Sequence, residues 1–500
     1  MTAAAAIAAP GLALDDPGLL IEAALIGGRW CQADDGSTLS IEDPATGRLV
    51  GTVPACGGAE TRRAIAAAEA AFATWRRVPA AERARLLERW HDLILANSVD
   101  LARIMTAEQG KPLGEAEGEV CYGASFVKWF AEEARRIYGR TIPAPTADRR
   151  ILMLEEPIGV TAAITPWNFP IAMITRKCAP ALAAGCTMVI KPSELTPFSA
   201  LALARLAERA GIPEGVISVI TGLPAAIGDE LTANPVVRKI SFTGSTRVGA
   251  HLMRASAGTL KKLSLELGGN APFIVFDDAD LELAVEGAMT SKFRNAGQTC
   301  VCANRILVQA GIHDAFVARF GEQIAGQTVG AGTTAGVAIG PLINAAATAK
   351  VRAHVADALA KGARVAARAE SDLDGERFVA PLLLTGATTD MLIANEETFG
   401  PVAPIFRFET EAEALSIANG TPFGLAAYFY TEDLHRAWRV GEALEFGMVG
   451  LNTGSISMEV APFGGVKQSG LGREGGYLGI AEYLEPKAFH ISGLKLAPTA

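Results

Sequence analysis

The chain has 500 residues, 50% of them hydrophobic and 20% charged, with a formal net charge of −9. That length is too great for one ordinary core and calls for two or three domains, and the apolar content excludes global disorder. The acidic balance gives no support to a nucleic-acid partner, and no apolar run is long enough to span a bilayer, so neither partner is expected.

The opening stretch, MTAAAAIAAPGLALDDPG, is apolar but has no basic residues ahead of it, and reads as a frayed arm rather than a secretion signal. Residues 24–54 have the composition of short strands and turns. From 59 to 107 apolar residues recur every three or four positions, which predicts helices, and 114–137 predicts another long one. An alternating region follows. ILMLEEPIGVTAAITP contains strand material, the segment around Met173–Ala184 is helical, TMVIKP is a buried strand, and SALALARLAERAG is a helix closing at Gly211. GVISVI and KISFTGS are strands, the latter handing over to a helix near Ser245. Such alternation implies a parallel sheet covered by helices, with ligands beyond the carboxyl ends of the strands, where Thr165, Lys191 and Gly244 fall. A second α/β unit begins at APFIVF and runs through RILVQA, APIFRFET, AAYFYT and GMVGLN. The tail, GIAEYLEPKAFHISGL, is an extended segment whose edge suits a partner subunit.

Seven cysteines and six histidines show neither paired zinc-ligand spacing nor an H-x-x-x-H arrangement, so no metal is expected. The odd cysteine count argues against a disulfide framework and for a reducing, cytoplasmic setting. The stretch FRNAGQTCVCANR, residues 293–305, places Cys300 beside small residues, where a thiol can be exposed and act as a nucleophile with backbone N–H groups near the developing oxyanion. No G-x-G-x-x-G motif links a strand to a helix in the first half. FTGST before a helix still meets the physical need of a dinucleotide, an anion at a helix N-terminus with close backbone approach.

NAGQTC resembles the nucleophile motif of the aldehyde dehydrogenase superfamily. TPWNFP (165–170), KPSELTP (191–197), SFTGST (241–246), LELGGNAP (265–272), EETFGPV (396–402) and PFGGVKQSGLGREGG (462–476) resemble that family's other motifs, in order. The resemblance implies an α/β fold with a variant Rossmann-like cofactor domain (1–137 and 156–267), an α/β catalytic domain (268–477) and a small β oligomerisation arm (138–155 and 478–500). It also implies a homodimer or homotetramer. Cys300 matches the nucleophile, Glu266 the general base, and Asn168 the side chain that holds the oxyanion together with the Cys300 N–H. The cofactor is expected to be NAD, with NADP possible. Its matching contacts are Thr165, Pro166, Trp167, Lys191, Ser193, Glu194, Phe242, Thr243, Gly244, Ser245, Val248, Leu267, Glu397 and Phe399. Of these, Lys191 and Glu194 match contacts to the adenosine ribose, Glu397 one to the nicotinamide ribose, and Ser245 the start of the pyrophosphate-binding helix.

Within the superfamily the chain is most similar to the succinate-semialdehyde dehydrogenases. The matching positions for the substrate's distal carboxylate are Arg176, Arg294 and Ser457. Guanidinium groups suit a buried carboxylate, although each arginine could instead pair with a local acid. Glutarate semialdehyde is one methylene longer, a difference of only ~1–3 kcal/mol in a pocket, and remains an alternative, as does a general aldehyde dehydrogenase. Glu266 points to hydrolysis, because CoA-acylating relatives usually lack that base. A carboxylate at Glu194 would accept from the free ribose hydroxyls and repel a 2′-phosphate, which favours NAD. Some members of the resembled subfamily close a pair like Cys300 and Cys302 into a disulfide. Ideal strand spacing is too long for a relaxed bridge, so the alternative is two independent thiols.

Overall fold

The computed structural model describes residues 12–494 except 374. An eight-stranded sheet runs in the order 470–471, 262–266, 237–243, 160–164, 187–191, 217–219, 24–26, 29–31. Its five central strands are parallel, and the outer ones join antiparallel. Parallel strands covered on both faces must be apolar throughout, and Thr187–Lys191 is buried at every position. From the strand Val160–Ile164 the chain steps outward one way through 187–191 and 217–219, and the other way through 237–243 and 262–266. The strand order therefore reverses between 160–164 and 237–243, where an open α/β sheet leaves a crevice beyond its carboxyl ends.

A seven-stranded sheet follows, in the order 364–368, 382–385, 402–408, 303–309, 271–275, 426–430, 448–451. All its neighbours are parallel except the first pair. The chain leaves strand Lys262–Glu266 at its carboxyl end and enters Ala271–Val275 at its amino end within four residues. Carboxyl ends of the first sheet thus face amino ends of the second. Each sheet encloses its own apolar core.

A three-stranded arm pairs 140–142, 150–157 and 484–491. The segment 139–158 is thus two antiparallel strands, and the tail is the outermost strand of the arm. Residues 1–11 and 495–500, which the frayed-arm and tail expectations include, lie outside the described residues. Strand Gly470–Leu471 crosses back from the second half to pair with Leu265 and Glu266. Among the described residues no helix is long and apolar enough to cross a membrane, and no cluster of histidine, cysteine or acidic residues could hold a metal.

Candidate active site

The helix Leu281–Phe293 ends in a loop that carries Cys300. Asn295, Ala296 and Gly297 take φ of 52°, 54° and 75°, three left-handed residues in succession. Two of them carry a Cβ, at a cost of about 1–2 kcal/mol each. Buried polar groups hold the loop there. Gln109 donates to Asn295 Oδ1 (3.0 Å), the Asn295 N–H donates to Glu115 (2.8 Å), and Asn295 Nδ2 donates to the Asn168 carbonyl (2.9 Å). Gly269 passes so close that a Cβ there would lie 2.3 Å from the Cys300 carbonyl oxygen.

Asn168 sits at the crevice below strand 160–164. Its side-chain amide gives one hydrogen to the Gln298 carbonyl (3.0 Å), which leaves the other for a substrate oxygen. Its own carbonyl accepts from Lys111 Nζ (2.8 Å), and Lys111 is paired with Glu119 in full burial. Glu119 in turn accepts from the N–H groups of Ile171 and Ala172 at 3.0 and 3.2 Å. Gln109, Lys111, Glu115 and Glu119 escaped the sequence reading. Their signal was the acid–lysine pattern in EQGKPLGEAEGE, which spans the gap between the two predicted helical stretches and the start of the second.

Cys300 is half-buried and borders two cavities. The larger, about 280 Å³, is lined by Pro166, Trp167, Asn168, Thr243, Gly244, Ser245, Leu267, Glu397 and Phe399 among others. Most of the expected cofactor residues therefore converge at the switch point. Thr165 is buried next to them with its hydroxyl unpartnered, and Phe242 lies beneath Gly244. Val248 is in the first turn of the helix Thr246–Ser256, where its N–H donates to the Ser245 cap. Lys191, Ser193 and Glu194 do not line this cavity; Lys191 and Glu194 pair with each other at 2.7 Å, and Glu194 borders a separate cleft. The helix start at Ser245 on the cavity wall and the orphan Thr165 hydroxyl beside it fit the phosphate end of a dinucleotide.

On the other side of Cys300 is a small chamber, about 20 Å³, lined by Tyr122, Phe169, Arg176, Arg294, Ser457 and Phe463 with their neighbours. The three expected substrate residues are together there. Arg176 pairs with Glu474 at 2.8 Å, so the expectation of a local acid holds for this arginine. That contact is not aligned as a hydrogen bond, and Nε and Nη2 of Arg176 have no acceptor. Arg294 makes no ion pair among the described residues and lies over the rings of Phe169 (4.9 Å) and Tyr122 (5.8 Å). A wider cavity, about 980 Å³, runs along the helix 281–293 and touches Arg294 from outside.

Burial pushes the Cys300 thiol up to about 12, against the pull of Arg176. Glu266 is 3% exposed, both its oxygens lack partners, and it lines neither cavity. Burial, and then the nearby Glu474, hold it well above the usual carboxylate range. Burial also raises Glu397 to about 7, although the Gly269 N–H donates to it at 3.1 Å. Cys302 is buried and turned away from the cavities toward Lys292, whose Nζ donates to its sulfur at 3.4 Å. Both cysteines are free.

The model of the aldehyde dehydrogenase family matches residues 30–489. The chain belongs to the aldehyde dehydrogenase family. It is 58% identical to a glutarate-semialdehyde dehydrogenase of Pseudomonas aeruginosa, covering 96% of this chain and 100% of that one. A 3-sulfolactaldehyde dehydrogenase of Pseudomonas putida is 59% identical, with coverages of 97% and 99%. A succinate-semialdehyde dehydrogenase of Escherichia coli, named for NADP(+), is 58% identical, with 95% and 98%. Among solved structures, a succinate-semialdehyde dehydrogenase from Burkholderia pseudomallei superposes with a TM-score of 0.95 at 60% identity, over 96% of this chain and 99% of that one. A betaine aldehyde dehydrogenase from Staphylococcus aureus, solved with NAD+, gives 0.92 at 35% identity, with 96% and 97% covered. This aldehyde dehydrogenase is therefore an NAD(P)-dependent oxidoreductase, and its two α/β layers and β arm are those of the family.

Proposed function

We propose that this aldehyde dehydrogenase oxidises succinate semialdehyde to succinate, with NAD preferred over NADP. The observation that carries the reading is the chamber beside Cys300, where Arg176, Arg294 and Ser457 meet and the Arg294 charge has no carboxylate partner. A charge of that kind is best satisfied by a ligand carboxylate. Relatives named for succinate and glutarate semialdehydes, and for a sulfonated aldehyde, all act on a small anionic aldehyde.

The proposed chemistry follows from the residues. The Cys300 sulfur attacks the aldehyde carbon as its proton passes to water, and the tetrahedral oxygen receives hydrogen bonds from the free amide hydrogen of Asn168 and the Cys300 N–H. The bound dinucleotide supplies the acceptor for the hydride that departs as the thioester forms. Thr243, Gly244 and Ser245 would hold its phosphates, and Glu397 and Phe399 the nicotinamide end. Glu266 in its carboxylate form takes a proton from water, which attacks the thioester and frees succinate and the thiol. Arg176 and Arg294 fix the far carboxylate throughout, so the carbonyl presents one face to sulfur.

Self-association is assigned to the arm. The strand Leu484–Ile491 is an edge of its sheet, with Phe489, Leu154 and Tyr138 exposed on the arm, and a partner strand would cover that edge. Light scattering should give a dimer or tetramer; a stable active monomer rejects this.

The test of substrate is a panel of succinate semialdehyde, glutarate semialdehyde and butanal. The two acids should exceed butanal in kcat/KM by at least about 30-fold, the worth of ~2 kcal/mol of carboxylate recognition. Equal use of butanal would leave a general aldehyde dehydrogenase as the better reading.

A further inference from the structure

Four rings enclose the two arginines of the chamber. Arg176 lies over Phe463 at 3.9 Å and Phe126 at 5.5 Å, and Arg294 over Phe169 at 4.9 Å and Tyr122 at 5.8 Å. Tyr122 and Phe126 are one turn apart on the helix Leu113–Glu133, so they share a face, and their rings meet edge to face at 5.1 Å. Ser125 fixes that turn beside the segment that carries Ser457. Its hydroxyl donates to the Tyr122 carbonyl at 2.8 Å, with Glu459 as a second acceptor at 3.2 Å.

Of these rings only that of Tyr122 carries a polar atom. Its hydroxyl oxygen is buried without a hydrogen-bond partner, on the wall of the chamber that Arg176, Arg294, Cys300 and Ser457 also line. Ser457 is near it but not aligned for a hydrogen bond. Packing does not account for the oxygen. A phenylalanine ring would cover Arg294 and meet Phe126 equally well, and would leave no buried donor unsatisfied.

We propose that the Tyr122 hydroxyl is a further substrate-binding group, which donates to the distal carboxylate of the aldehyde alongside Arg176 and Arg294. The inference rests on the carboxylate-bearing substrate proposed above.

A carboxylate offers about four lone-pair sites. Arg176 has donors without acceptors on Nε and Nη2, which can fill two of them as a fork. Arg294, with no ion pair among the described residues, fills a third. The Tyr122 hydroxyl supplies the fourth from the same wall. Burial holds this phenol above its usual range although both arginines pull it down, so it keeps the proton it donates. An alkyl end offers the hydroxyl no acceptor, so its contribution is confined to acids. A ring that only packs would serve every aldehyde alike.

The experiment is Tyr122→Phe, which keeps the ring and its contacts and removes one oxygen, so the fold should survive. In the native enzyme and the variant, kcat/KM is measured for succinate semialdehyde and for butanal, and the dissociation constant of succinate by calorimetry. With succinate semialdehyde kcat/KM should fall about tenfold, mainly through KM, and succinate should bind about tenfold more weakly. Butanal should stay within about twofold of its native value. Unchanged values for succinate semialdehyde and succinate, in an enzyme that still prefers that aldehyde to butanal, overturn the role of Tyr122. An equal fall for both aldehydes overturns it as well, and makes the hydroxyl structural. A native enzyme with no preference for succinate semialdehyde overturns the substrate reading, and the inference with it.

Discussion

Arg294→Gln removes the chamber's unpaired charge with little damage elsewhere. No ion pair is broken, and the protein loses ring contact with Phe169 and Tyr122 at 4.9 and 5.8 Å and the pull of one charge on the buried Glu115. Such contacts contribute ~0.5–1 kcal/mol at partly exposed sites, so folding should survive with a small drop in melting midpoint. The substrate loses more. A hydrogen bond to a charged group contributes ~1.5–3 kcal/mol, and ~2 kcal/mol is about 30-fold in kcat/KM. Arg176 is the poorer target, because its loss also takes one of two cations from the buried Glu474. The assay is kcat/KM for succinate semialdehyde and for butanal at saturating NAD, in the native enzyme and the variant. Succinate semialdehyde should fall about 30-fold and butanal less than about threefold. An equal fall for both would refute the reasoning and make Arg294 a structural residue.

Glu194→Ser should raise kcat/KM with NADP far more than with NAD, because a carboxylate beside the adenosine ribose repels a 2′-phosphate; Lys191 at 2.7 Å offsets part of that charge, so an unchanged ratio would remove the reason for an NAD preference. Peroxide should inactivate the native enzyme in a way that thiol reverses; a Cys302→Ala variant inactivated just as reversibly would exclude a Cys300–Cys302 bridge as the cause. Glu397 titrates at about 7 in the fold against 4.5 for an unburied group, so its contribution to stability is fully present below about 4.5 and is lost as pH rises through 7. Urea midpoints between about pH 5 and 8 should therefore fall in the native enzyme and fall less in Glu397→Gln; equal slopes would contradict this.

Much of the switch-point crevice was legible because single features dictate it. A five-residue apolar strand such as TMVIK admits few places, and Ser245 before a helix is a cap in sequence as in space. Arg176, Arg294 and Ser457 are far apart in sequence, and it was the resemblance, not spacing, that grouped them. The helix Leu281–Phe293 was not anticipated: its apolar residues keep to no single face, so periodicity gave no signal. The support beneath the site was also hidden. Nothing in the sequence marks Lys111, Glu119 or Lys177 as buried, and only the fold brings each to a partner in full burial. The sequence likewise could not show that Cys302 turns away from Cys300 toward Lys292, since that depends on the left-handed loop at Asn295 and Ala296.

The central claim is a covalent acyl group on Cys300 that Glu266 helps water to remove. The most direct measurement is intact-protein and peptide mass spectrometry of Glu266→Gln quenched during turnover of succinate semialdehyde with NAD. The account predicts one burst of reduced dinucleotide per site, slow turnover after it, and a succinyl group on the peptide at Cys300. A variant that turns over at the native rate, or an acyl group found on Cys302 or nowhere, would contradict it.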